Sequence, residues 1–216
     1  HDALPISGDV RFFGQSFMGA DLESRRNLLK TFGVLYQSGA LWSSLTLREN
    51  VALPLEEYTP LSKGEIHDLV TLKLAQVGLT GFDHYFPAEI SGGMKKRAGI
   101  ARALALDAPI IFLDEPSAGL DPISSVELDE LILILNKGLG LTVVLVSHEL
   151  ASIYSIVKNC ILLDADSTSI IARGNPAELR DTSTDPRVIR FLKRSPTQPS
   201  EYLAAPVGGT PKESSS

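Results

Sequence analysis

The sequence predicts an α/β fold built on a parallel sheet. Two observations point there. First, three short apolar runs, residues 33–36, 109–113 and 141–146, each lead into polar residues with chemistry to offer: Gln37, Asp114-Glu115 and Ser147-His148. Second, the stretches between them carry helical periodicity, and a parallel strand pair needs a long crossover that is usually a helix. Open sheets of this kind place their chemistry outside the C-terminal ends of the strands.

Residues 1–7 (HDALPIS) stand apart. The sequencing-adapter string CACGACGCTCTTCCGATCT encodes His-Asp-Ala-Leu-Pro-Ile and opens a Ser codon, so this segment reads as non-native and is set aside. The plainer reading is an ordinary loop, and the codons at these positions decide between the two. Residues 8–13 read as a short strand ending at Gly14, and residues 22–31 as a helix with Arg25, Arg26 and Lys30 on one side. In residues 38–55, Trp42 and Leu45 either offer a gripping surface to a partner or pack under their own loop.

Residues 62–79 form a clear helix. Ser62 and Glu65 make a capping box, Ile66, Leu69, Val70, Lys73, Leu74 and Val77 recur on one stripe, and Gly78 can end the helix. His67 and His84 read as surface residues. Ser91-Gly92-Gly93 opens a helix rich in Ala and Leu; consecutive glycines leave room for an anion at the free N–H groups of a helix start. The basic run Lys95, Lys96 and Arg97 is a solvated face or a draw for negative charge.

The strand 109–113 delivers Asp114 and Glu115. Asp114 suits Mg²⁺, a hard cation that prefers oxygen ligands, and Glu115 suits polarising a water that attacks a phosphoryl group. Asp121 can cap the next helix, with Pro122 at its first position, a stripe of Leu128, Leu131, Ile132 and Leu135, and Gly138 as its end. Residues 141–146 read as a central strand and 150–158 as a helix. Residues 160–163 and 169–172 read as a hairpin, and 176–180 and 186–193 as short helices. Residues 195–216, rich in Pro, Ser, Thr and Gly, have the composition of a disordered tail.

A net charge of −6 and a pI of about 5.2 argue against a nucleic-acid partner. At 44% hydrophobic residues the chain can bury a sizeable core in one domain with a subdomain. The longest apolar stretches are broken at Asn136-Lys137-Gly138, short of the roughly 20 residues a membrane span needs. The single cysteine, Cys160, suits a reducing compartment and reads as a small buried hydrophobe.

Each of these motifs is weak alone, but their order is specific. Tyr36-Gln37, SGGMKKR, IIFLDEP, SAGLD and Ser147-His148 resemble the Q-loop, signature, Walker B strand, D-loop and H-loop of the ATP-binding subunit of ABC transporters, over about residues 8–194. The resemblance implies a RecA-like parallel-sheet core with a helical subdomain inserted at about residues 38–106. It implies Glu115 and His148 as catalytic residues, Asp114 and Gln37 as Mg²⁺ ligands, and Asp121 in the D-loop. Ser91, Gly92 and Gly93 would bind ATP across a head-to-tail dimer with a second copy of the chain. Met94, where the family commonly has Gln, and the phrase GVLYQSGALWSSLTLRENVALPL resemble the subgroup serving Mce-type lipid transport and organic-solvent resistance. That implies a phospholipid or related hydrophobic cargo, an integral-membrane permease partner, an Mce-type lipid-binding subunit, and a peripheral place on the cytoplasmic face of the inner membrane.

One motif is missing. No G-x-x-x-x-G-K-[ST] phosphate loop occurs in the chain. The expectation is an N-terminally truncated fragment that, as written, neither hydrolyses ATP nor folds robustly. The rivals are an ABC-type ATPase without a transport role, opposed by the short span between Gln37 and Ser91, and a regulatory pseudo-ATPase, opposed by the intact polar motifs.

Overall fold

The computed structural model describes residues 8–37 and 39–194. The readings for residues 1–7 and 195–216 lie outside that range. The described residues open with a small hairpin, β1 (Arg11–Phe12) and β2 (Gln15–Ser16), where a single strand was expected. Helix α1 (Leu22–Leu29) follows, capped by Asp21, whose side chain accepts from the Ser24 N–H.

Three strands form a parallel sheet in the order β3 (Phe32–Leu35), β4 (Ile110–Asp114), β5 (Thr142–Val146). Alternation sorts their side chains onto two faces. Gly33, Leu35, Ile111 and Leu113 share one face, and of these Leu35, Ile111 and Leu113 are buried in the core. The other face carries Phe32, Phe112 and Val144; Phe12 of the first hairpin stacks on Phe32 at 4.8 Å, with Phe112 edge-on to Phe32 at 5.6 Å. Residues 141–146 were expected to be a central strand. Among the described residues β4 is central, β5 is an edge, and Val146 is 58% exposed.

The crossover from β3 to β4 holds α2 (Leu47–Tyr58), α3 (Lys63–Gln76), a 3₁₀ turn (Pro87–Glu89) and α4 (Gly92–Ala103). Capping boxes open α2 at Thr46/Glu49 and α3 at Ser62/Glu65, and Gly78 lies just past the end of α3 with φ 75°. The expected stripe of α3 is inward-facing. Its polar member, Lys73, is buried and reaches an ion pair with exposed Asp107, so the stem packs while the charge meets its partner at the rim. Helix α4 lies against β3, and close approach is possible because Gly33 has no side chain: a Cβ there would sit 1.9 Å from the Ala103 carbonyl oxygen.

Helix α5 (Pro122–Leu139) links β4 to β5. Gly138 was expected to end it; the helix instead runs through Gly138, and Gly140, in the left-handed region at φ 65°, ends it. Helix α6 (Leu150–Ile156) packs on α5. Asp129 of α5 is buried there and accepts from Ser155 Oγ at 3.2 Å. Burial pushes its carboxyl above the usual range, opposed by hydrogen bonds from Ser152 and Ser155, with the Glu149 charge adding to the rise. The folded state therefore holds this proton more tightly than the unfolded chain, and stability is lost as pH rises through the raised value. Asp129→Asn is expected to remove that loss. Its melting temperature should gain on the wild type as pH rises from about 4, the ordinary carboxylate range, and a constant difference across pH would refute the assignment.

The second compact unit begins at Val157. Its described part contains an antiparallel pair, β6 (Cys160–Asp164) and β7 (Ser169–Gly174), then α7 (Pro176–Thr182) and α8 (Pro186–Lys193). Cys160 is half-buried, more open than expected, and its partial burial raises the thiol pKa. Arg187 ties α8 to the hairpin through Asp164 at 2.9 Å and also binds Asp185, whose pKa these hydrogen bonds lower to about 2.

Candidate active site

Sheet register brings together residues far apart in sequence. Asp114 pairs with Val146, so Glu115 and Ser147-His148 leave the sheet side by side. The Glu115 N–H donates to the Val146 carbonyl at 2.9 Å. Glu115 Oε1 accepts from the His148 backbone N–H at 3.1 Å and lies 2.6 Å from His148 Nδ1. The carboxylate is largely sheltered (15% exposed) and the imidazole is open (74%). This is a candidate base held by a second group, the arrangement that aims proton-accepting side chains. Glu115 adopts φ 45°, a left-handed conformation uncommon for a residue with a side chain.

The expected Gln37 follows β3 and is exposed. Its backbone is held by α4: Lys96 Nζ donates to the Gln37 carbonyl oxygen and, at 3.1 Å, to the Glu115 carbonyl oxygen. Further along α4, Arg102 donates to the Ala40 carbonyl at 2.7 Å and the Gly39 carbonyl at 3.2 Å. Burial lowers the pKa of Lys96, and the charges of Asp114 and Glu115 work against that fall. The solvated-face reading of the basic run fails here. Lys96 is 5% exposed, and Arg97 is half-buried and pairs with Glu127 at 3.2 Å. A signal was present in the sequence: Lys96 precedes buried Ile100 by four residues and Ala103 by seven, the spacing of an inward helical stripe.

Ser91 caps α4 by accepting from the Met94 N–H at 3.2 Å, and Ser91 and Gly92 are exposed. A Cβ on Gly92 would meet Leu120 at 3.5 Å and one on Gly93 would meet Ser124 at 3.8 Å, both ordinary contacts. Packing within the chain thus does not require either glycine. Asp121 caps α5 beside them, accepting from Ile123 N–H at 3.1 Å and Ser124 N–H at 3.0 Å; hydrogen bonds from the Ser124 side chain and backbone chiefly hold its carboxyl below the usual range. Two clusters result. Asp114, Glu115, His148, Lys96 and the Gln37 backbone form one; Gly92 and Gly93, just after Ser91, lie close to Leu120 and Ser124 in the other.

No group of three His, Cys, Asp or Glu side chains suited to a metal occurs among the described residues. Trp42 is 63% exposed and Leu45 half-buried, so the Trp42 ring does not pack under its loop. Among the described residues no helix is long and apolar enough to cross a membrane.

A family profile described as ABC transporter matches residues 1–118. The chain is 40% identical over 190 residues to the intermembrane phospholipid transport system ATP-binding protein MlaF of Haemophilus influenzae, covering 88% of this chain and 71% of that protein. It is 39% identical over 188 residues to the "Probable ribonucleotide transport ATP-binding protein mkl" of Mycobacterium bovis, covering 87% of this chain and 52% of the relative. The chain thus spans about half the length of the mycobacterial relatives it matches. Among solved structures, the dimeric post-hydrolysis state of the ATP-binding cassette MJ0796 bound to ADP and Pi superposes with a TM-score of 0.69 at 28% identity, covering 79% of this chain and 74% of that one. The cbiO1 structure from Clostridium perfringens gives a TM-score of 0.72 at 24% identity over 86% and 73%, a likeness of fold. Sheet, motif order and relatives agree, and the chain belongs to the ABC transporter family, with the α/β fold of its ATP-binding cassettes.

Proposed function

We propose that the intact protein is the ATP-hydrolysing subunit of an ABC transporter for phospholipid or another hydrophobic cargo. The observation that carries the enzymatic part is the hydrogen-bonded Glu115–His148 pair beside Asp114 at the end of adjacent strands. Glu115 takes the proton of the water that attacks the terminal phosphoryl group, and His148 aims that carboxylate and contacts the phosphate. Asp114 and the Gln37 side chain would hold Mg²⁺, which would supply charge neutralisation on the phosphates.

The glycines of the second cluster are explained by a ligand from outside the chain. Ser91, Gly92 and Gly93 present the start of α4 to the ATP of a second copy, with Asp121 at the same interface. Residues 8–194 constitute the nucleotide-binding domain, residues 38–106 its helical subdomain, and Trp42 part of the surface met by an integral-membrane permease. Likeness to MlaF, whose name gives intermembrane phospholipid transport, supports the phospholipid cargo; the Mce-type partner and the place on the cytoplasmic face of the inner membrane rest on the motif resemblance of residues 33–55 and Met94. The name of the mycobacterial relatives points to ribonucleotides instead, so a reconstituted complex should move labelled phospholipid and not labelled ribonucleotide. The 216 residues contain no phosphate loop, so activity is to be tested in a protein extended upstream to include one.

Gly92→Asp tests the shared site. In the extended protein it should leave ATP binding by one subunit intact and abolish ATP-driven dimerisation, because a carboxylate there repels the phosphates. Sizing with ATP under hydrolysis-blocked conditions reads the result, and a normal dimer would remove α4 from the interface.

A further inference from the structure

We propose that Lys96 is a positioning residue that locks the turn carrying Gln37 and the strand end carrying Glu115 to the helix that begins at Ser91. The inference rests on the ATPase reading above and adds a residue to it.

The geometry is specific. Leu35 and Leu113 are paired neighbours on β3 and β4, and Gln37 and Glu115 follow each of them by two residues. At that level the strands stop and their carbonyls lose the sheet partners that satisfied them. A backbone carbonyl that leaves a sheet needs a new partner. Lys96 answers both oxygens with one ammonium group, at the Gln37 carbonyl and, 3.1 Å away, at the Glu115 carbonyl. Its charge suits the site because Asp114 and Glu115 stand beside it. Glu115 also needs support, since its left-handed backbone, φ 45°, persists only where surroundings hold it. Its N–H is held by Val146, its carboxylate by His148 and its carbonyl by Lys96.

Arg102 extends the lock. It grips the Gly39 and Ala40 carbonyls, and Gly99 lies between the two cations on α4, where a Cβ would come 3.2 Å from the Gly39 oxygen. The turn after β3 is therefore laid directly on α4. Any displacement of α4 on engaging a second subunit is transmitted to Gln37 and Glu115 through Lys96. An apolar side chain there would leave both carbonyls unanswered and loosen the backbone that carries Glu115.

The test uses the upstream-extended protein. Lys96→Met should lower kcat about 10–100-fold with KM for ATP within about threefold, the pattern of a misplaced catalytic group rather than lost substrate binding. Lys96→Gln keeps an N–H donor for one carbonyl and should recover part of the rate. Amide exchange at Gly39 and Glu115 should quicken in both variants while exchange at Val70 in α3 stays as in wild type. An unaltered kcat per folded molecule, or a loss that tracks folded fraction with exchange at Gly39, Glu115 and Val70 rising together, overturns the proposal. If Lys96→Met does not fold, Lys96→Gln carries the same comparison. Absence of turnover in the wild type would sink the ATPase reading instead, and the exchange pattern would still decide the role of Lys96.

Discussion

Glu115→Gln, made in the upstream-extended protein, is expected to bind ATP normally and to lose about 10²–10⁴-fold in turnover, the usual range for a missing general base. The substitution is nearly isosteric. The amide can still meet the His148 N–H that now donates to Glu115 Oε1 at 3.1 Å, so the backbone at this position should be kept. What disappears is an anionic oxygen able to take a proton. Nucleotide affinity and single-turnover hydrolysis separate these effects, and the chain of 216 residues alone serves as the control expected to show no turnover. A variant turning over within a few-fold of wild type would take Glu115 out of the chemical step. Loss of binding together with turnover would mean that the residue builds the pocket rather than running the reaction.

Gly33→Ala is expected to be the most damaging small substitution in the sheet. A methyl group there meets backbone, not a side chain that can swing away: the Ala103 carbonyl oxygen at 1.9 Å and its carbon at 2.7 Å. Relief requires α4 to move off β3. Overpacking of this sort costs about 1–3 kcal/mol and sometimes more. For a domain of this size each kcal/mol lowers the melting temperature by about 2–4 °C. Because α4 also carries Lys96 and Arg102, the retreat should loosen the turn after β3 and reduce turnover as well. Gly138→Ala provides the contrast. Gly138 lies within α5, and a methyl group added there would have nothing within 4 Å, so alanine should stabilise by about 0.5–1 kcal/mol through helix propensity. Thermal melts of the two variants read both claims, and a Gly33→Ala protein that melts with the wild type would show that α4 and β3 have more slack than these distances allow.

Local chemistry carried much of the fold into the sequence. The Ser62/Glu65 box, the Asp121 cap and the stripe of α3 rest on interactions within a few residues, so they were legible without any tertiary knowledge. The same holds for the apolar strands and for the polar residues at their ends. Helix endings were less secure. Gly138 and Gly140 are both residues capable of stopping α5, and only the left-handed turn that leads into β5 selects Gly140.

The family, the order of the motifs and the residue types able to meet phosphate, metal and water were legible in the sequence alone, because those depend on short spacings and on what a Ser, Gly, Asp, Glu or His can do chemically. Tertiary structure decided which of them meet. Glu115 and His148 lie 33 positions apart and touch only through the register of β4 and β5. Lys96 looked like one member of a solvated basic run. It is buried because two neighbouring strands end at one level and leave two carbonyls facing the same side of α4. Whether a charge is solvated or enclosed depends on what converges around it, and that convergence is set by strand register and helix approach rather than by the residues on either side in the chain.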